Sequence, residues 1–294
     1  MKVAVLGANG QLGHDVAAAF AQAENEVVSL SHQQIEVSAK DSVTEALEKL
    51  KPDVVVNTTA FHHVEKCEAD PALSFAVNAT GARNLAQVTE ALGATLFHIS
   101  TDYVFDGHKN SPYLESDSPL PLNVYGNSKL AGELFVRTMN PRHFVVRVSA
   151  LYGKNPCRAK GGLNFVETML KLSRERELLR VVDDEYVTPT PTVQVAKQLV
   201  ALSATNDYGL YHATAEGSCS WYEFARAIFE MTGTKIKLER ATPGEFPAKV
   251  PRPKYSVLEN AALKSKSLNV FTGWHEGLKN YLAQRDPSST VSHA

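Results

Sequence analysis

VAVLGANGQLGHDVAAAF (residues 3–20) decides the fold. An apolar run enters GANGQLG (7–13), and a helical pattern leaves it. Gly7, Gly10 and Gly13 recur every third residue. Gly7 permits the tight turn, and Gly13 lets the helix pack closely on the strand. Gly10 lets a pyrophosphate approach the backbone, where the amides of a helix start await it. A strand-to-helix turn without a ligand would share this spacing. A place after the first strand of a repeated βαβ series is what favours a dinucleotide. Asn9, Gln11 and Leu12 fall in the same turn and join the glycines as candidate cofactor contacts.

Outward from that turn, the first 150 residues alternate short β-branched runs with helical stretches. The runs are KVAVL (2–6), EVVSL (26–30), DVVVN (53–57), ATLFHI (94–99) and HFVVRV (143–148). They are continuously apolar, as strands covered on both faces are. Helices are predicted near 11–22, 41–50, 71–91 and 124–140. This order predicts an α/β fold, a Rossmann-type doubly wound parallel sheet with right-handed crossovers. The second half is less regular. It reads as a loop over 154–162, helices near 163–175, 192–204, 220–232 and 273–284, and strands near 178–182 and 210–213. Three prolines make 244–253 extended rather than helical. The tail 285–294 is polar and expected to fray. The expected organisation is a dinucleotide-binding domain over 1–150 and a smaller substrate lobe over 151–294. The chain is expected to re-cross to the first lobe around 178–213.

Composition narrows the function classes. Lys plus Arg is 30 against 32 for Asp plus Glu, a formal charge of −2, which disfavours electrostatic nucleic-acid binding. Three cysteines, Cys67, Cys157 and Cys219, lie far apart, so neither a disulfide framework nor a CxxC zinc pair is expected. No signal-peptide pattern and no apolar run of ~18–20 residues is visible, so a cytoplasmic protein without a membrane partner is expected.

Two further motifs carry chemistry. Tyr125 is the only tyrosine with a lysine four residues on, Lys129, which puts both on one helix face. An ammonium beside a phenol lowers the phenol's pKa, and such a tyrosine can hand a proton to a carbonyl oxygen. The bland alternative is a surface tyrosine packed on a lysine stem. In HISTDYVFDG (98–107) a strand ends in Ser100, Thr101 and Asp102, at the sheet edge where doubly wound folds bind ligands. Thr101 is placed to hydrogen-bond a substrate oxygen or the Tyr125 hydroxyl, although a simple turn cap reads equally well. Ile99 on the same strand is a candidate cofactor contact. After the second strand, Ser29-Leu30-Ser31-His32 carries no acid until Glu36. Without a carboxylate to repel a 2′-phosphate, NADPH is expected over NADH, with Ser31 and His32 as its donors.

Together, GANGQLG, STDYVFDG, PLNVYGNSKLAGE and RPKYSVL resemble the extended short-chain dehydrogenases/reductases, within them the dTDP-4-dehydrorhamnose reductase branch. The resemblance spans roughly residues 2–284. It implies NAD(P)H-dependent reduction of a nucleotide-linked 4-keto-6-deoxysugar, dTDP-4-dehydrorhamnose to dTDP-rhamnose. Thr101, Tyr125 and Lys129 would form the catalytic trio. Tyr125 would protonate the C4 oxygen, Lys129 would lower its pKa and hold the nicotinamide ribose, and Thr101 would orient the reacting oxygen. Asp102 would contact substrate. Ala60, Phe61 and His62 would line the cofactor, and Glu36 and Val37 would approach the adenine. The chain departs from the family pattern at Ala150, where the family usually carries Trp, and at Glu185 and Val187, usually Gln and Gly. Ala150 is therefore a candidate substrate-binding position.

Competing readings share these residues. A related epimerase or dehydratase would use an acid beside the catalytic threonine, the place of Asp102. A non-catalytic regulatory subunit, like the methionine adenosyltransferase β subunit, would bind the dinucleotide without turnover. No metal is expected, because the neighbouring side chains of His62 and His63 diverge on an extended segment. Arg158 and Lys160 suit a diphosphate or a solvated loop equally. The expected partners are the nucleotide-sugar and, as assembly, a homodimer.

Overall fold

The computed structural model describes residues 1–157, 161–242, 244–246 and 248–285. Arg158, Lys160 and the tail beyond Arg285 lie outside these residues. In the first half, β1 (Lys2–Leu6), α1 (Gln11–Gln22), β2 (Glu26–Leu30), α2 (Lys40–Leu50) and β3 (Val54–Asn57) follow in turn. Next come α3 (Val64–Ala69), α4 (Pro71–Phe75), a π turn (Ala76–Thr80) and α5 (Gly81–Leu92). Then β4 (Thr95–Thr101), α6 (Val124–Met139), β5 (His143–Val148) and β6 (Leu151–Tyr152) follow. The second half adds α7 (Phe165–Glu175), β7 (Leu178–Val181), β8 (Tyr186–Val187), β9 (Thr190–Pro191), α8 (Thr192–Ser203) and β10 (Gly209–His212). It closes with β11 (Cys219–Ser220), α9 (Trp221–Thr232), β12 (Lys237–Arg240), α10 (Ala261–Ser265) and α11 (Trp274–Gln284).

Six strands form one parallel sheet in the order β2-β1-β3-β4-β5-β10. Its two faces explain the unbroken apolar runs. Val3, Val5, Val54, Val56, Phe97, Phe144 and Val146 pack under α1 and α8. Ala4, Leu6, Val55, Leu96 and Val145 pack under α2, α5 and α6. A separate core joins Tyr152, α7, β7, α9 and α11 through Phe224, Ile228, Trp274 and Leu278.

The chain beyond residue 150 therefore feeds both cores. β10 pairs with β5, and α8 covers α1 and the first sheet face. The helix expected over 71–91 is interrupted. Asp70 caps α4 by accepting from Leu73 N at 2.9 Å, and the π turn then places Asn78 inward before α5 begins. The described part of 244–253 does not begin extended either. Gly244 has φ +81°, and Glu245 folds back on Thr242 and pairs with Arg180.

Candidate active site

The site gathers where β1, β3, β4 and β5 end. β1 lies between β2 and β3, so consecutive crossovers leave it in opposite directions and open a crevice at its C-terminal edge. Gly7 adopts φ +73°, which L side chains rarely take. A Cβ on Gly13 would stand 2.2 Å from the Gly7 carbonyl oxygen, so only glycine lets α1 lie this close to the loop. Gly10 precedes α1 with no side-chain cap, and the first turn holds no acid. The first-turn amides, of Gln11, Leu12 and Gly13, thus begin a helix that no side chain has capped.

The other expected cofactor contacts divide. Asn9 is exposed at the mouth of the loop, while the Leu12 side chain is core. Gln11 Nε2 donates to the carbonyls of Gly153 and Asn155, so its side chain ties the loop after β6 to α1 instead of facing a phosphate. Ser31 spends both its N–H and its hydroxyl on Gln34 Oε1. His32 is exposed and pairs with Glu36 at 3.1 Å. Burial pushes the Glu36 carboxyl up, but hydrogen bonds from Ser38 and the nearby His32 bring it below its ordinary value. Val37 is a correction in its side chain, which is buried in the core against Gly81, while its carbonyl accepts from Asn84. Ala60, Phe61 and His62 follow β3 half-buried, and the Phe61 backbone is clamped at both ends by the Asn78 amide at 2.9 Å.

Thr101 ends β4 and is 5% exposed. Its hydroxyl donates to Asp102 Oδ1 at 3.0 Å and accepts from Tyr103 N, and Thr101 is close enough to the Tyr125 phenol to act on its pKa. Tyr125 sits in the first turn of α6, which Asn123 caps by accepting from Gly126 N. Its ring meets Tyr103 edge-on at 5.8 Å.

Two expectations need correcting. Burial pushes the Tyr125 phenol up instead of towards neutrality; Thr101 opposes this, and Lys129 is not among the charges acting on it. The physical reason is where the lysine goes. Lys129 is 1% exposed, and its ammonium donates to the Ile99 carbonyl at 2.6 Å and meets His98 Nε2 at 3.4 Å. Burial pulls it down to about 8, with Glu133 pulling the other way. Asp102, expected against substrate, is instead a buried hub. Its Oδ2 accepts from Ser149 at 2.9 Å and Ser256 at 2.6 Å, and burial still raises its pKa against those bonds.

Beneath the trio lies a polar floor that the motifs did not announce. Glu133 accepts from Arg147 Nε at 2.9 Å and Nη2 at 2.7 Å, and from Ser100 Oγ, and both charged residues are at most 1% exposed. Asn57 and His98 extend it to β3. The only legible signal was a charged residue inside the apolar run HFVVRV and Glu133 four residues after Lys129.

Around Tyr103, Arg252 pairs with Glu65 at 2.6 Å, and Glu185 accepts from Trp221 Nε1 at 3.2 Å. Ala150 follows β5, half-buried at φ +43°. Val187 is buried in β8 against Cys219. Among the described residues, no cluster of three His, Cys, Asp or Glu side chains suits a metal.

This geometry has relatives. The family described as the RmlD substrate binding domain matches residues 1–286. The spore coat polysaccharide biosynthesis protein SpsK of Bacillus subtilis is 39% identical over 284 residues, 97% of this chain and 98% of that protein. The crystal structure of a dTDP-4-dehydrorhamnose reductase from Clostridium acetobutylicum aligns with a TM-score of 0.92 at 39% identity, covering 96% of this chain and 99% of that one. That of the Bacillus anthracis dTDP-4-dehydrorhamnose reductase, in complex with NADP, gives 0.91 at 35% identity, with the same coverage. With the glycine turn, the Thr101–Tyr125 pair and full-length matches in hand, the chain belongs to the RmlD family, the dTDP-4-dehydrorhamnose reductase branch of the extended short-chain dehydrogenases/reductases.

Proposed function

We propose that this protein reduces the 4-keto group of a nucleotide-linked 6-deoxysugar with NAD(P)H, converting dTDP-4-dehydrorhamnose to dTDP-rhamnose in deoxysugar biosynthesis. One observation carries the reading: a half-buried tyrosine beside Thr101 at the sheet edge, above a buried lysine and next to an uncapped, glycine-lined helix start.

The chain suits a dinucleotide. The helix start of α1 offers its first-turn amides with no competing carboxylate, and Gly7 and Gly13 add no side chain of their own where the loop passes Thr58. Gly7, Gly10 and the α1 amides would hold the pyrophosphate, Lys129 the nicotinamide ribose, and Ala60 to His62 the face beside β3. When bound, the reduced nicotinamide supplies hydride to the sugar C4. Tyr125 then gives its hydroxyl proton to the C4 oxygen. A raised phenol pKa keeps that proton in place until the oxygen becomes basic enough to take it. Thr101, tied to Asp102 through its hydroxyl, pulls the Tyr125 pKa down against burial and so eases release of the proton.

A dehydratase reading loses support from Asp102, whose carboxylate is taken up by three hydroxyls. A silent regulatory subunit would have no use for the Thr101–Tyr125 contact. NADPH is the expected cofactor, a homodimer the expected assembly and the cytoplasm the expected compartment. Among the described residues no helix is long and apolar enough to cross a membrane. We also read the chain as two lobes divided near residue 150, with the sugar nucleotide between them.

The test is a panel of 4-keto sugar nucleotides followed by NADPH oxidation, with NMR of the product. Oxidation with reduction at C4 is expected. Dinucleotide binding without turnover of any member would favour the regulatory subunit.

A further inference from the structure

The hydrogen bonds beneath Lys129 can be assigned donor by donor. Thr59 N, at 3.0 Å, and Thr59 Oγ1, at 2.6 Å, both donate to Asn57 Oδ1. A backbone N–H only donates, so the identity of that oxygen is fixed, and Asn57 Nδ2 must be the atom facing His98 Nδ1 at 3.1 Å. An amide nitrogen also only donates. His98 Nδ1 is therefore an acceptor, and the single proton of the neutral ring sits on Nε2. Burial first, and Lys129 second, keep this histidine neutral.

His98 Nε2 lies 3.4 Å from Lys129 Nζ. An ammonium has three donors and no acceptor, so it meets the Nε2–H donor to donor. The contact becomes a hydrogen bond when Lys129 is an amine, whose lone pair accepts. The Ile99 carbonyl, at 2.6 Å, takes a proton from either form.

No carboxylate pairs directly with the ammonium, and Glu133 only partly offsets the pull of burial. Glu133, one turn on along α6, is held by Arg147 from β5 through two hydrogen bonds and by Ser100 from β4. Asp102, after β4, is held by Thr101, Ser149 and Ser256. Tyr125, one turn back, is kept neutral by burial.

We propose that Asn57 and His98 are positioning residues that present a hydrogen-bond donor to Lys129 and so make it an exchangeable proton holder rather than a fixed cation. The downward pull of burial on Lys129 acts in the same direction. The inference rests on the place of Lys129 in the proposed active site, but its readout does not need turnover.

The experiment is NMR on the full chain without cofactor, with 15N-labelled histidine and 13C-labelled lysine. His98 is expected to stay neutral as the Nε2–H tautomer from about pH 6 to 9. Lys129 is expected to titrate near 8, against about 10.4 for an ordinary lysine. In Asn57→Asp the carboxylate accepts from both Thr59 and His98 Nδ1–H. Nε2 then becomes an acceptor, and the Lys129 midpoint should rise by about one unit or more. The high-pH limb of kcat/KM should move with it. An Nδ1–H tautomer in the unsubstituted protein overturns the proposal, as does an unchanged Lys129 midpoint in Asn57→Asp. If that variant does not fold, the tautomer alone decides. Absence of turnover with every 4-keto sugar would reject the functional reading and leave both NMR results standing.

Discussion

Glu133→Gln is isosteric, so its effect isolates one buried charge. In the folded protein Arg147 is 1% exposed and Glu133 fully buried, with two short hydrogen bonds between them. A glutamine oxygen could keep the bonds from Arg147 Nε and Ser100, but its NH2 would face Arg147 Nη2 donor to donor. The remaining neighbours of the guanidinium are the Phe105 ring at 5.1 Å and His212 Nε2 at 3.4 Å, and neither is an anion. Breaking a buried pair on one side costs about 3–5 kcal/mol, because it leaves an uncompensated charge. At this chain length roughly 1.5–2 °C of Tm accompanies each kcal/mol, so a fall of about 5–10 °C is expected. Replacing both partners with apolar residues, Glu133→Leu with Arg147→Met, should recover most of that loss, since such exchanges are often neutral. Urea titration and thermal melts of the single and double variants form the assay. A Glu133→Gln protein within about 0.5 kcal/mol of the unsubstituted one would refute the reasoning, because exposed pairs contribute only that much.

Tyr125→Phe should lower kcat by about 10²–10⁴-fold with NADPH affinity little changed; unaltered turnover would remove the proton-donor role. Gly10→Val should fold yet lose dinucleotide binding by calorimetry, since its side chain would stand over the helix amides. His212 is buried, and burial first, then Arg147, pull it down to about 3. The unfolded chain therefore binds a proton there below pH ~6.5 that the folded one refuses, so stability is lost as pH falls from about 6.5 towards 3. The loss attributable to this residue is about 1.4 kcal/mol per pH unit, and a His212→Gln protein with an unchanged pH slope in urea titrations would contradict it. Ala150→Trp should lower KM for dTDP-4-dehydrorhamnose while excluding larger sugars; if the unsubstituted protein already prefers that substrate in a panel, the extra room has no role.

Local signals were legible to the residue, whereas the one long-range expectation, a return of the chain around 178–213, was legible only as a region that contains α8 and β10. Glycine spacing is a short-range constraint, so the turn after β1 was legible, as were five strands whose apolar runs need no partner to be recognised. β10 is a four-residue stretch, GLYH, whose return to the first sheet depends on β5 beside it, so the sequence could suggest only a region. Strands of two residues such as β6, β8 and β9 have no period to read. At the site, an i,i+4 spacing put Tyr125 and Lys129 on one face but said nothing of where a four-carbon stem would lean. The Ile99 carbonyl decided that. Ser256 reached Asp102 across 154 residues of chain, a contact that no motif encodes.

The return of α8 and β10 to the first sheet has a consequence for anyone wishing to exchange the sugar-recognising half between relatives. A fragment ending near residue 150 would leave β5 with a bare edge and strip α1 of the helix that lies on it. A graft must therefore carry at least two inserted segments with matched ends. A single cut in the chain cannot separate the two cores, because residues 192–212 belong to the first sheet although they follow residue 150 in sequence.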